Sequence, residues 1–212
     1  MTVLEDAAYG YKKLINKRIV NTYGKKGKTI NITILFKDEH FPHLIGLDKL
    51  RDIENAIYKN RTKAEVHNAI LEKELTDEII EKSDLLHKSS SDNNDDYYTV
   101  NERIKFFSKV VEIIFERNHI LYSFFEVKAH SMIKADYLLK YTIEKKKIDD
   151  PTYLYLFIKK DEYIKDVYMP ISFFPSDNKQ YVSGMPMYTL LESKLIYGEK
   201  EEILYHKSTY KN

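Results

Sequence analysis

The sequence predicts an α+β fold, with N-terminal helices packed on a curved, mainly antiparallel sheet. Two patterns carry that expectation. The first half holds stretches with apolar residues three and four apart, the period of a helix with one buried face. The second half holds short runs of β-branched and aromatic residues separated by turn-forming clusters. Helices first and adjacent strands later is the order of an α+β domain, not of alternating βαβ units. A length of 212 residues suits one domain. We take 1–212 as that domain, with a helical acidic segment at about 60–100 as an insertion in it.

The elements follow in order. Leu4 to Ile15 reads as a first helix, with Leu4, Ala7, Ala8, Tyr11, Leu14 and Ile15 on one face. Gly24-Lys25-Lys26-Gly27-Lys28 reads as the turn of a hairpin between Arg18–Tyr23 and Thr29–Phe36. The second of these alternates, with Ile30, Ile32, Ile34 and Phe36 on one face. Asp48 is placed to cap a helix through Leu50, Ile53, Ala56 and Ile57, and Thr76 another. Ser89–Asp96 is the low-complexity stretch, read as a solvated loop. Asn101–Glu116 is a helix with a stripe of Ile104, Phe107, Val111, Ile114 and Phe115, ended by Arg117-Asn118-His119. Strands are expected at Ile120–Val127, Ala135–Ile143, Tyr153–Lys159, Val167–Phe174, Tyr188–Tyr197 and Glu202–His206. Asp149-Asp150-Pro151, Pro175-Ser176-Asp177-Asn178 and Tyr197-Gly198 supply turns.

Composition narrows the chemistry. There is no cysteine, which excludes disulfides, a cysteine nucleophile and thiolate metal sites. No apolar run reaches the ~18 residues of a membrane span, and Glu5 and Asp6 stand where a signal peptide wants lysines. The expected setting is the cytoplasm. The net charge of +1 hides an asymmetry: residues 72–102 carry −7, so the rest carries +8. A basic body suits a phosphate-rich partner, and equally an ordinary solvated surface. Tyrosine is abundant (18) and tryptophan absent, as base stacking or an AT-rich coding bias would each produce. Gly-x-x-x-x-Gly-Lys-[Ser/Thr], Gly-x-Gly-x-x-Gly, Gly-x-Ser-x-Gly and His-Glu-x-x-His are all missing. NTPase, dinucleotide, α/β-hydrolase and zincin readings therefore lose their usual support.

Three constellations could carry chemistry. His40-x-x-His43 follows the alternating strand. An imidazole at a strand end suits acid–base work. The pair could also share a metal, against which Pro42 intervenes and no third ligand is close in sequence. The structural alternative is that His43 packs under the loop and bonds a carbonyl. Arg61 and His67 have a spacing similar to that of HEPN-type ribonucleases, whose pair sits on a four-helix bundle; an exposed helix face explains them equally. Lys134, Tyr137, Ser172, Tyr181 and Thr189 lie on or beside the later strands, where polar donors can grip a phosphate or simply face water.

His40-Phe41-Pro42-His43-Leu44-Ile45-Gly46-Leu47 directly after a strand resembles the F-P-H-L-x-G-L signature of a phage- and mobile-element-associated nuclease family. That family belongs to the Barnase–EndoU–colicin–RelE-like superfamily. Lys134-Ala135-Asp136-Tyr137 is similar to the same family, as are Tyr153–Phe157 running to Ser172-Phe173-Phe174-Pro175, then Tyr181 and Thr189-Leu190-Leu191, in the same order. The resemblance implies helices on a curved sheet and an RNA-cleaving site on its open face. Carried over by residue, His43 would be the acid or base and Lys134 would neutralise the phosphate. Ser172 and Thr189 would contact the phosphate or transition state. His40, Tyr137 and Tyr181 would bind substrate. No cofactor or metal is implied.

The reading from sequence is thus a metal-independent endoribonuclease, a toxin or effector acting on RNA. A toxin would call for an antitoxin or inhibitor as partner. The alternatives are a catalytically silent phage or prophage regulator that binds RNA or a host protein, and an HEPN-like ribonuclease.

Overall fold

The computed structural model describes residues 1–88, 98–115, 119–129, 131–143 and 151–211. The expected loop at Ser89–Asp96, the helix end at Arg117-Asn118 and the Asp149-Asp150 turn lie outside these residues. The chain opens with α1 (Val3–Lys12), β1 (Arg18–Lys25) and β2 (Lys28–Leu35). A 3-10 turn (Asp38–His40) runs into α2 (Phe41–Leu44), and two more (Leu47–Lys49, Arg51–Ile53) lead to α3 (Glu54–Tyr58). Then come α4 (Lys63–Leu71), α5 (Asp77–Ile80), α6 (Val100–Phe107) and α7 (Lys109–Phe115). The later part holds β3 (His119–Ser123), α8 (Glu126–Ala129), β4 (Tyr137–Thr142), β5 (Tyr153–Lys160), β6 (Val167–Ser176), β7 (Met187–Tyr197) and β8 (Lys200–His206).

The α+β class holds, but the sheet is more than curved. Its strands run β1-β2-β6-β5-β4-β3-β7, and β7 pairs back onto β1, closing a seven-stranded barrel with β8 as an appended hairpin. Closure leaves the barrel strands without a free edge. The barrel is mixed, because β2 and β6 pair in parallel at Thr33↔Val167 and Ile34↔Tyr168. That ladder is short. The helical layer meets β6 next to it, where Phe107 of α6 stands edge-on to Phe173, ring centres 5.2 Å apart. The sequence hides this pairing, since β2 and β6 are far apart along the chain and a two-residue ladder needs no special pattern.

Among the described residues three helices start with a Thr-x-x-Glu capping box, at Thr2/Glu5, Thr62/Glu65 and Thr99/Glu102. Each threonine hydroxyl takes the N–H three residues on, and each glutamate reaches back. Thr76 stands at the N-cap of α5 but its side chain makes no cap bond. The hydroxyl of Thr2 and the N–H of Leu4 instead use the Asp77 carboxylate beside it. The expected helix over Asn101–Glu116 is interrupted at Ser108, giving α6 and α7.

Two cores result. The larger joins the barrel interior (Ile19, Ile32, Ile34, Leu121, Leu139, Leu156) to the helices. Val66, Ile70, Leu75, Ile80 and Leu86 belong to it, so the described part of the acidic segment is integral to the packing. The smaller lies on the outer face of the later strands and is mostly aromatic: Tyr122, Phe124, Tyr153, Tyr155, Phe157, Phe174 and Tyr181. Among the described residues no helix is long and apolar enough to cross a membrane.

Candidate functional site

The motif His40–Leu47 is a short helical plug. Phe41, Pro42, Leu44, Ile45 and Leu47 are buried. Phe41 packs against Tyr11, His67 and Phe107, with ring centres 5.1, 4.7 and 5.5 Å away. Pro42 suits the first turn of α2, where no N–H is needed. Anchoring its neighbours inward leaves His43 facing out, its side chain 55% exposed.

His43 is not alone. Its Nδ1 stands 2.9 Å from Asp48 Oδ2. The ammonium of Lys63 donates to the same oxygen at 3.0 Å, and the Tyr58 hydroxyl donates to Oδ1. Burial pushes the Asp48 carboxyl up, but the bonds from His43, Tyr58 and Lys63 outweigh it and hold the carboxyl well below its usual range. Burial and the Asp48 charge together push the Tyr58 phenol up, so Tyr58 stays protonated as a donor. An ionised Asp48 only accepts, so His43 Nδ1 carries a proton and Nε2 is the working nitrogen. Asp48 is therefore no helix cap, as its position suggested; its carboxylate orients an imidazole.

His40 sits behind this pair, its side chain 13% exposed. Its Nδ1 accepts the Lys37 N–H at 3.3 Å, and its Nε2 is 3.8 Å from Glu39 Oε1. Burial lowers its pKa, and the charges of Lys37 and His43 act in the same direction while Glu39 opposes them. Among the described residues, no group of three or more His, Asp or Glu side chains is placed to hold a metal ion.

The other side of the plug faces α6. Gly46 has φ +85°, and a Cβ there would lie 3.2 Å from Arg103 Cδ. Arg103 is 9% exposed, with its guanidinium 5.4 Å from the centre of the Phe174 ring. Among the described residues no carboxylate pairs with it, and its Nε makes no hydrogen bond. Lys49, three residues beyond Gly46, is half-buried; burial and then the Arg103 charge lower it to about 8. Burial likewise lowers Arg103 to about 10, with Tyr181 opposing.

The remaining candidates are dispersed. Tyr181 is 5% exposed and packs on Phe174, Phe157 and Tyr155, so its ring builds the outer core and is not open to stack a base. Ser172 is partly buried two residues before Phe174 on the same strand face, opposite Phe157. Lys134 is exposed on the loop entering β4, where no hydrogen bond or ion pair joins it to His43 among the described residues. Tyr137, at the start of β4, stands edge-on to Tyr168 and Tyr188, with centres 5.5 and 6.4 Å away. Thr189 is exposed opposite Gly24, pointing out between the inward Tyr188 and Leu190. The Arg61/His67 pair is structural. Arg61 bonds Glu74 at 3.1 Å, while His67 is buried, with Nδ1 2.7 Å from Asp38 and Nε2 3.0 Å from the Ala8 carbonyl. The barrel is also no four-helix bundle.

Asp48, Tyr58, Lys63, Lys49 and Arg103 are the residues that sequence reasoning passed over. Only Arg103 carried a local signal. It lies on the apolar stripe of α6 with Val100, Ile104 and Phe107, where a charge is out of place.

No curated protein and no solved structure matches the chain. The family model described as phage-Barnase-EndoU-ColicinE5/D-RelE like nuclease 4 matches residues 4–210, from the first helix past the last strand. The chain belongs to that family of phage-associated nucleases.

Proposed function

We propose that the protein is an endoribonuclease that uses the substrate's own 2′-hydroxyl as nucleophile, with His43 as the proton-transfer group. The observation that carries this is the exposed His43 ring, oriented through Nδ1 by an ionised Asp48. In this reaction the 2′-oxygen bonds to the adjacent phosphorus and gives its proton to a base. The bond from phosphorus to the 5′-oxygen breaks, and that oxygen takes a proton from an acid. The products are a 2′,3′-cyclic phosphate and a 5′-hydroxyl. Each proton-transfer group typically contributes ~10²–10⁴-fold. Lys63, on the same carboxylate oxygen as His43, places a cation beside the reacting phosphate. RNA supplies the nucleophile, so the scheme calls on no metal-bound water.

The test is cleavage of total tRNA and a mixed RNA ladder in EDTA, by the wild type and His43→Ala, with end-group analysis. Cleavage by the wild type that leaves cyclic phosphates and falls at least about 100-fold in the variant is expected. Equal cleavage by both removes His43 from the chemistry. Binding of RNA without products would make the protein a silent RNA-binding scaffold.

A further inference from the structure

We infer that Lys49 and Arg103 form a subsite for one phosphate group, on the face of the Gly46 turn that packs against α6. Two cations are packed here without an anion. The guanidinium of Arg103 is nine-tenths buried, its Nε has no acceptor, and among the described residues no carboxylate pairs with it. Lys49 is within electrostatic reach of it and has no ion pair among the described residues either. An unpaired buried charge is costly, and a second like charge raises the cost. By contrast, the half-buried Asp48 pairs with Lys63, and the buried Glu192 with Lys194 and His206. The uncompensated cations lie on the turn that closes the motif and on the helix packed against it.

The geometry is that of a receptor. The guanidinium carbon of Arg103 sits over the Phe174 ring, 5.4 Å from its centre, and its donors lie in one plane. Gly46 allows the close approach, since a side chain there would strike Arg103 Cδ. Arg103 comes from α6 and packs on Gly46, and Lys49 stands one 3-10 turn beyond, its N–H donating to the Gly46 carbonyl at 3.0 Å. A phosphate suits them because its several oxygens can meet both donors at once while its charge offsets both cations. On the nuclease reading, on which this subsite's role in catalysis rests, that group is a substrate diester and Ser172 lies on the neighbouring strand face.

The test separates binding from cleavage. A fluorescent single-stranded DNA oligonucleotide lacks the 2′-hydroxyl and is not cut by the proposed chemistry. Its affinity is measured by anisotropy across a salt series for the wild type, Lys49→Gln and Arg103→Lys. Inorganic phosphate is titrated in parallel by calorimetry. Lys49→Gln should make the slope of log K against log salt shallower by about 0.7, the value for one phosphate contact on a single strand. Circular dichroism checks that Arg103→Lys folds; Lys49→Gln, at a half-buried site, stands independently of it. Lys49-dependent binding of inorganic phosphate without oligonucleotide binding also supports the subsite and assigns it to a free phosphate. Wild-type slope and affinity in both variants, or binding of neither probe, overturns it. A protein that binds with a Lys49-dependent slope but cuts no RNA retains the subsite and loses the nuclease reading. One that cuts RNA with an unchanged slope in Lys49→Gln does the reverse.

Discussion

His43 of α2 and Asp48 of the 3-10 turn that follows are five residues apart, and the carboxylate of Asp48 meets the imidazole at 2.9 Å while also accepting from Lys63 and Tyr58. A carboxyl held below its ordinary 3.8 in the folded state stabilises that state above the unfolded pKa, and the contribution fades as pH falls through the folded value. Wild type should therefore exceed Asp48→Asn in urea midpoint at pH 7, and the gap should narrow as pH falls below about 4. A gap that widens toward acid would contradict an ionised Asp48.

Lys63 and Lys134 make opposite forecasts. Lys63 shares a carboxylate oxygen with His43, whereas Lys134 stands on the loop into β4. Lys63→Gln should slow RNA cleavage at least about 10-fold. Lys134→Gln should change the single-turnover rate by less than about 3-fold, within the range of an exposed charge. A reversed ranking would restore Lys134 to the catalytic centre.

Gly46→Ala should cost about 1–2 kcal/mol, because alanine pays for the left-handed backbone at φ +85°. The contact with Arg103 Cδ at 3.2 Å adds to it. Thermal unfolding reads this directly. An unchanged Tm would show that the turn has another conformation available.

His67 donates from Nε2 to the Ala8 carbonyl, and its Nδ1 stands 2.7 Å from Asp38 Oδ1. Removing it with His67→Leu strands an acceptor on α1 and a carboxylate, at a cost of about 2–4 kcal/mol. His67→Gln keeps one donor and should lose less. Provided it folds, it should cut RNA as the wild type does. A folded but inactive His67→Gln would revive the HEPN-like reading.

How much of this was legible in the sequence depended on how local each cause was. The β1–β2 hairpin showed because Ile30, Ile32 and Ile34 alternate and Gly27 turns the chain. The strands from Tyr153 onward showed because aromatic and β-branched residues cluster there. Barrel closure did not, since Gly24↔Thr189 is a contact between distant segments. The motif pointed to His43, while its partners Tyr58 and Lys63 come from α3 and α4, brought in by packing of the helices on the plug. Tyr181 looked like a binding residue because exposure cannot be read from residue type. Its ring turned out to be a packing element beside Phe174.

The β1–β7 pairing has a consequence for synthesis. The β1–β2 hairpin is made before β7 and finds its closing strand only after residues 187–197 have emerged. Until then β1 keeps an open edge, and such long-range closure is slow. The growing chain is thus a period of vulnerability to misassembly. It is also a safeguard, since a chain that has not yet made residues 187–197 lacks the closed scaffold that holds its helical plug in place.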